Sequence, residues 1–306
     1  MTVNTAKRPR VLIVGGAGQV GVELQRSFVG FGEIVAVDKE SVDLAVDSQT
    51  RELVRRIEPD VIVNAAAYTA VDRAESDAAL ALAINARAPE VLAEEARERG
   101  ALFVHYSTDY VFNGGKDGPW VETDATGPLN AYGRTKLAGE EAIARVGGRY
   151  LIFRTSWVYG PHGNNFLLTM LRLGREREKL SIVADQHGAP TTSIELARAT
   201  YEIVAGILAG KFGETAEWAG LYHMTCGGST TWFGFAEAIF ARAAELGSKA
   251  PQLTPLTTAE YPTPAQRPRN SVLSNEKLAA RFGVRLAEWP DALAAVVDVL
   301  KAAAAK

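Results

Sequence analysis

The stretch VLIVGGAGQVGVELQRSF, residues 11–28, constrains the fold more than any other. Its first four residues, Val11 to Val14, are apolar without polar alternation. Such a run fits a strand buried on both faces, as in a parallel sheet covered by helices. Gly15, Gly18 and Gly21 follow at once, and then apolar residues recur at helical spacing. A strand that passes into a helix through bare backbone exposes N–H groups at the positive end of the helix. A pyrophosphate can lie against them because no Cβ stands in the way. Asp38, 20 residues after Gly18, closes the second apolar run, where a carboxylate can accept hydrogen bonds from an adenosine ribose. The combination predicts a dinucleotide site. A free ribose 2′-hydroxyl, hence NAD, suits Asp38, whereas Lys39 beside it suits a 2′-phosphate, so both NADH and NADPH stay open.

The same rhythm continues along the chain. VLIV (11–14), EIVAVD (33–38), VIVNAAA (61–67), ALFVHYS (101–107) and YLIFRTS (150–156) read as strands. Helical patterns over 21–30, 50–58, 79–99 and 130–146 separate them. Strands alternating with helices imply right-handed crossovers and a doubly wound, Rossmann-like parallel sheet. Past residue 160 the alternation loosens. Helices are expected over 164–179, 192–210, 230–247 and 291–305, strands over 180–185 and 221–225, and a Pro-rich connection, YPTPAQRPRNS, over 261–271. The expected organisation is a dinucleotide-binding domain over 8–160 and a smaller α/β substrate lobe over 161–306. Part of 181–215 is expected to pack back on the first domain.

Composition removes several function classes. Thirty-three Lys and Arg against 36 Asp and Glu leave a formal charge of −3, which offers no electrostatic footprint for nucleic acid or an anionic membrane. Cys226 is the single cysteine, so no intrachain disulfide can form. No apolar run reaches the ~18–20 residues of a membrane span. The first ten residues lack the apolar core of a signal peptide. A cytoplasmic location is the expectation, and KAAAAK at the end reads as a frayed helix end. His105, His162, His187 and His223 show no metal-ligand spacing.

Two further stretches carry chemistry. NAYGRTK places Tyr132 and Lys136 four apart, on one helix face. An ammonium beside a phenol stabilises the phenolate. Bringing the phenol near neutrality would take about 4 kcal/mol, shared among the lysine, cofactor charge and hydrogen bonds. A phenol so tuned is a general acid for a carbonyl oxygen that receives a hydride. YSTDYVFNG ends the fourth strand with Thr108 and Asp109, at the sheet edge where doubly wound folds bind ligands. Thr108 can hydrogen-bond a reacting carbonyl or the phenol, and Asp109 can accept from a sugar hydroxyl.

The glycine loop, the Ser/Thr strand end and YxxxK together resemble the extended short-chain dehydrogenase/reductase family. Within it, VNAAAYTAVDRAES, HYSTDYVFNG, NAYGRTKLAGE, FRTSWVYGPHGNNF, DQHGAPT and YPTPAQRPRNS are similar, in order, to the dTDP-4-dehydrorhamnose reductases. The resemblance implies NAD(P)H-dependent reduction of a nucleotide-linked 4-keto-6-deoxysugar. It implies that Gly15, Gly18, Gln19 and Val20 line the pyrophosphate, that Asp38 meets the adenosine ribose, and that Asp43 and Leu44 lie near the adenine. Ala65, Ala66, Ala67, Tyr68 and Thr69 would pass the cofactor, and Tyr106, Tyr132 and Lys136 would meet its nicotinamide end. Thr108, Asp109 and Trp157 would contact the sugar, with Thr108 in the place of the catalytic serine. Arg267 and Arg269 are candidates for the substrate diphosphate, because guanidinium matches phosphate. Some members of the family form a homodimer with a metal ion, here magnesium, at the contact. Glu23 matches one ligand position, but Ile194 stands where a second carboxylate is wanted, with Glu195 shifted by one, so no metal ligand is assigned. A nucleotide-sugar epimerase and a non-catalytic NADP-binding subunit share the same fold and stay open as alternatives.

Overall fold

The computed structural model describes residues 8–243, 245 and 250–304. The start of the segment read as lacking a signal, the last two residues of KAAAAK, and most of the end of the helix expected over 230–247 lie outside the described residues. The first half runs β1 (Arg10–Val14), α1 (Gln19–Ser27), β2 (Glu33–Val37), α2 (Asp47–Ile57), β3 (Val61–Asn64), α3 (Ala78–Leu82), α4 (Ala88–Arg99), β4 (Leu102–Thr108), α5 (Ala131–Val146) and β5 (Tyr150–Thr155). The second half begins with β6 (Val158–Tyr159), α6 (Phe166–Glu176), β7 (Lys179–Val183), β8 (His187–Gly188), β9 (Thr191–Thr192) and α7 (Ser193–Leu208). It closes with α8 (Thr215–Trp218), β10 (Gly220–His223), β11 (Thr230–Thr231), α9 (Trp232–Ala243), β12 (Gln252–Leu256), α10 (Glu276–Phe282) and α11 (Trp289–Ala304).

Six strands form one parallel sheet in the order β10-β5-β4-β3-β1-β2. The continuous apolar runs are buried on both faces, as their lack of alternation requires. Val11, Ile13, Val63 and Val104 face α1 and α7, while Leu12, Ile62, Phe103 and Ile152 face the side of α2, α4 and α5. The order of strands reverses at β1, which lies between β2 and β3, so a crevice opens beyond the carboxyl ends of β1 and β3. The second half contributes α7, packed on α1, and the edge strand β10 to this body. Trp218 of α8 and Leu278 and Phe282 of α10 also join this first core, while α6, α9 and part of α11 build a separate core around Leu167, Met170, Phe235, Ile239, Leu293 and Val296, with β7 and β12 paired in parallel beside it. Among the described residues no helix is long and apolar enough to cross a membrane.

Two of the expected elements end or break early, each for a local reason. The third strand ends at Asn64 and not at residue 67, because the Asn64 side chain accepts a hydrogen bond from Ala66 N–H (3.1 Å) and diverts the chain into a loop. The helix expected over 79–99 is interrupted by a π turn over Ala83–Arg87. That turn carries the fully buried Asn85, whose carbonyl lies so close to α5 that a Cβ at Gly139 would come within 2.2 Å of it.

Candidate active site

The site grows from the carboxyl ends of β1, β3, β4 and β5. At β1 the chain turns through Gly15, whose φ of +86° is left-handed. A Cβ there would stand 2.7 Å from the Ala66 nitrogen, so only glycine lets the first and third loops approach. A Cβ at Gly21 would meet the Gly15 carbonyl at 2.1 Å. Gly18 caps α1 without a side chain, which leaves the first-turn N–H groups of Gln19 and Val20 uncapped. This donor set fits a pyrophosphate. Loop 160–165 braces it from the second half: Asn165 Nδ2 donates to Gln19 Oε1 (2.9 Å). At the end of β2 Asp38 is half-buried and accepts from Glu40 N–H (3.0 Å), while Asp43 is exposed and Leu44 packs against the core.

Beyond β3, residues 65–68 are half-buried and Thr69 is exposed. Asn85 reaches from its π turn to hold this loop. It accepts from Tyr68 N–H (2.8 Å) and donates to the Tyr68 carbonyl (3.2 Å) and to Thr135 Oγ1 (3.1 Å), one residue before Lys136. The same side chain therefore ties the cofactor loop to α5.

Asn130 caps α5 by accepting from Gly133 N–H (2.8 Å), and its amide also donates to the Gln266 carbonyl (2.8 Å). The cap sets the helix so that Tyr132 and Lys136 face β4. Lys136 is fully buried, and its Nζ donates to the Tyr106 carbonyl (2.6 Å) and lies 3.0 Å from His105 Nε2. Burial pulls its pKa down to about 7, against the opposing pull of Glu140 one turn on. Glu140 itself is held by a buried ion pair with Arg154 (2.6 Å) and by Ser107. Burial pushes the Tyr132 phenol up to about 12, with the Thr108 hydroxyl acting in the opposite direction and Asp109 adding to the rise. Among the protein's own groups burial, and not the amine of Lys136, sets the direction in which the phenol is shifted.

Tyr106 meets this cluster through its carbonyl alone. Its ring points to the opposite face of the sheet, where its hydroxyl pairs with Thr200 Oγ1 (2.6 Å). Thr108 Oγ1 donates to Asp109 Oδ1 (2.9 Å), while Asp109 Oδ2 is buried without a hydrogen-bond partner. Burial raises the Asp109 carboxyl to about 6, moderated by Ser271 and Thr108. Trp157 holds φ +46°, unusual for a bulky residue. Its ring stacks on Trp232 (3.6 Å, 8° between planes) and packs against Gly188, so one face of the indole is already covered.

Arg267 has partners within the protein. It makes a two-pronged pair with Asp72 (2.9 and 2.8 Å) and donates to Thr263 and to the Ala265 carbonyl, clamping the loop after β3 to the Pro-rich connection. Arg269 is exposed and pairs with the exposed Asp117 (2.8 Å).

Comparison with known proteins bears on this geometry. Residues 9–302 match the family model described as the RmlD substrate binding domain. A dTDP-4-dehydrorhamnose reductase from Burkholderia thailandensis is 49% identical over 288 residues, 92% of this chain and 95% of its own. The chain belongs to the dTDP-4-dehydrorhamnose reductase family. Solved structures agree. A reductase of this name from Clostridium acetobutylicum is 37% identical with a TM-score of 0.86, covering 95% of this chain and 99% of its own. One from Bacillus anthracis, solved in complex with NADP, is 35% identical with the same TM-score and the same coverage.

Glu23 and Glu195, the carboxylates weighed as metal ligands, both have partners within the protein. Glu23 pairs with Arg26 (2.7 Å) and lies 3.5 Å from His162 Nδ1. Glu195 pairs with Arg198 (2.8 Å) and accepts from Ala287 N–H, and Ile194 packs in the second core. Among the described residues no group of three or more His, Cys, Asp or Glu could hold a metal.

Asn64, Asn85, His105 and Asn130 hold the reductase site together, and none stands out in the sequence. The available signal was polarity out of place: Asn64 and His105 interrupt otherwise apolar buried strands, where an uncharged polar side chain needs a partner.

Proposed function

We propose that the protein reduces the C4 ketone of dTDP-4-dehydro-L-rhamnose to dTDP-L-rhamnose with NADPH or NADH, a step toward cell-surface polysaccharide. The observation that carries this reading is the convergence of Tyr132, Thr108 and the buried Lys136 at the carboxyl end of β4, beside an uncapped helix start that suits a pyrophosphate. A reduced nicotinamide bound there supplies the hydride for C4.

The chain's own residues do the rest. Uncapped N–H groups at Gln19 and Val20 bind the pyrophosphate, and Gly15 and Gly18 keep its approach clear. Asp38 accepts from the adenosine ribose, with Asp43 and Leu44 beside the adenine. Residues Ala65 to Thr69 form the wall along the cofactor. Lys136, anchored on the Tyr106 carbonyl, presents its remaining hydrogen to the nicotinamide ribose. Tyr132, protonated across the neutral range, donates its phenolic proton to the C4 oxygen as charge develops there. Thr108 orients that phenol, while Asp109 and Trp157 contact the sugar. Residues 8–160 chiefly serve the cofactor and 161–306 the substrate, with part of 181–215 packed back on the first domain, and the reaction takes place in the cytoplasm.

The test is direct. Purified protein is mixed with NADPH and dTDP-4-dehydro-L-rhamnose, and nicotinamide absorbance is followed. Loss of one reduced nicotinamide per sugar is expected. Retained NADPH binding without oxidation would overturn the reading.

A further inference from the structure

The indole of Trp157 is held from the second half of the chain by a residue that the mechanism does not use. Trp157 follows β5, and its φ of +46° is left-handed. A bulky residue keeps such a backbone only where its surroundings fix it. Here the chain is pinned on both sides of the α carbon. Ser156 Oγ donates to the Ala189 carbonyl (2.8 Å), and Thr191 N–H donates to the Trp157 carbonyl (3.3 Å).

The ring is fixed separately. Trp232, the first residue of α9, lies parallel to it, with 3.6 Å between centroids and 8° between planes. One edge of the Trp157 ring lies over Gly188, where a Cβ would come 2.7 Å from the indole Nε1. Gly188 on β8 pairs with Thr230 on β11, two residues before Trp232, and Thr231 Oγ1 accepts from Gly234 N–H (3.0 Å) in the first turn of α9. The strand under the ring edge and the helix start behind the ring face are therefore one unit. Phe166 of α6 leans on Trp232 (4.7 Å, 48°) and stacks on Phe235 (5.5 Å, 20°), which roots the pair in the second core.

We propose that Trp232 is a positioning residue for the sugar. Its indole occupies one face of Trp157 and stops the ring from turning, so the apolar C–H face of a deoxysugar can meet only the opposite face. A contact that is held before the ligand arrives spares the ligand the cost of ordering it. The contact of Trp157 with the sugar rests on the reductase reading; the stack itself does not.

Binding of dTDP-L-rhamnose, measured by calorimetry with NADP present, tests this without turnover. Trp232→Leu is expected to weaken that sugar roughly tenfold and to leave NADPH affinity unmoved. Trp232→Phe, which keeps a ring behind Trp157, should recover most of the loss. In a Trp157→Leu background the same Trp232→Leu change should cost less than about twofold, because no ring is left to hold. Sugar affinity unmoved by Trp232→Leu, or lowered equally with Trp157 absent, would overturn the proposal. Gly188→Ala presses on the ring edge and spares Trp232, so it should weaken the same sugar even if Trp232→Leu does not fold; an unchanged affinity there would overturn it too. In 15N-tryptophan-labelled protein the Trp157 indole N–H, assigned by its absence in Trp157→Leu, is expected upfield in the parent and displaced downfield in Trp232→Leu. A peak that does not move would remove the stack, and the proposal with it. A parent that binds dTDP-L-rhamnose without oxidising NADPH would count against the reductase reading alone, whereas one that binds no such sugar would overturn both.

Discussion

The two sides of the crevice are built differently. On the cofactor side Lys136 is partnered with Tyr106 and His105, Asn64 with Ala66, and Asn85 with Tyr68 and Thr135, while Arg154 Nη1 alone of this cluster is buried without a partner. On the proposed sugar side Asp109 Oδ2 is buried with no hydrogen-bond partner in the protein, and Trp157 has left-handed backbone. Each unpartnered buried polar atom costs about 1–3 kcal/mol, and a left-handed bulky residue costs a similar amount. The cofactor side is thus a rigid, largely satisfied frame, and the sugar side combines strain with unmet hydrogen-bonding capacity. Such contrast suits a reaction in which hydride geometry is set by the frame while sugar contacts are completed by the substrate itself.

Substitutions can break or sharpen that contrast. The largest effect is expected from Tyr132→Phe, which removes the proton donor and leaves the frame. Turnover should fall ~10²-fold or more with NADPH affinity nearly unchanged; undiminished NADPH oxidation would take the phenol out of the chemistry. Lys136→Met damages the frame itself, so NADPH affinity and turnover should fall together, each roughly tenfold. Intact affinity by fluorescence titration would argue that the lysine does not meet the cofactor. Gly15→Ala forces a Cβ into the Ala66 backbone at a left-handed position, and denaturant unfolding should show a loss of about 2 kcal/mol.

The sugar side should respond through pH. The folded pKa of Asp109, about 6, lies above the ordinary carboxyl value, so the folded protein retains a proton that the unfolded chain has released. Its contribution is complete below the unfolded pKa and is lost as pH rises through the folded one. Asp109→Asn removes that loss. Relative to the parent, the variant should gain about 1–2 kcal/mol between about pH 5 and about pH 8 in denaturant titrations. A constant difference across that window would show that the carboxyl does not titrate there. The smallest effect is expected from Arg269→Ala, an exposed pair partner whose loss should leave both unfolding and the KM for sugar unmoved, whereas a raised KM would put Arg269 on the substrate.

Much of this was legible in residue order. Buried strands announce themselves by uninterrupted apolar runs, as at Val11 to Val14, and Gly15 and Gly21 mark the turn because a Cβ at either would run into backbone. Tyr132 and Lys136 share a face by helical periodicity alone. The pairing of Arg267 was not legible, because a guanidinium in a Pro-rich loop gives no hint that Asp72, far away in sequence, meets its donors. His105 went unassigned because the ligand-spacing criterion looks along the chain, and its partners Asn64 and Lys136 come from a neighbouring strand and a facing helix.

Local sequence determined the alternating elements, the glycine turn and the placing of phenol and amine on one helix face, since each depends on neighbours within a few residues. Tertiary structure alone decided the ionisation of those groups. Burial pulls the amine of Lys136 down and pushes the phenol of Tyr132 up, and desolvation is a property of the whole packed surroundings that no short stretch encodes.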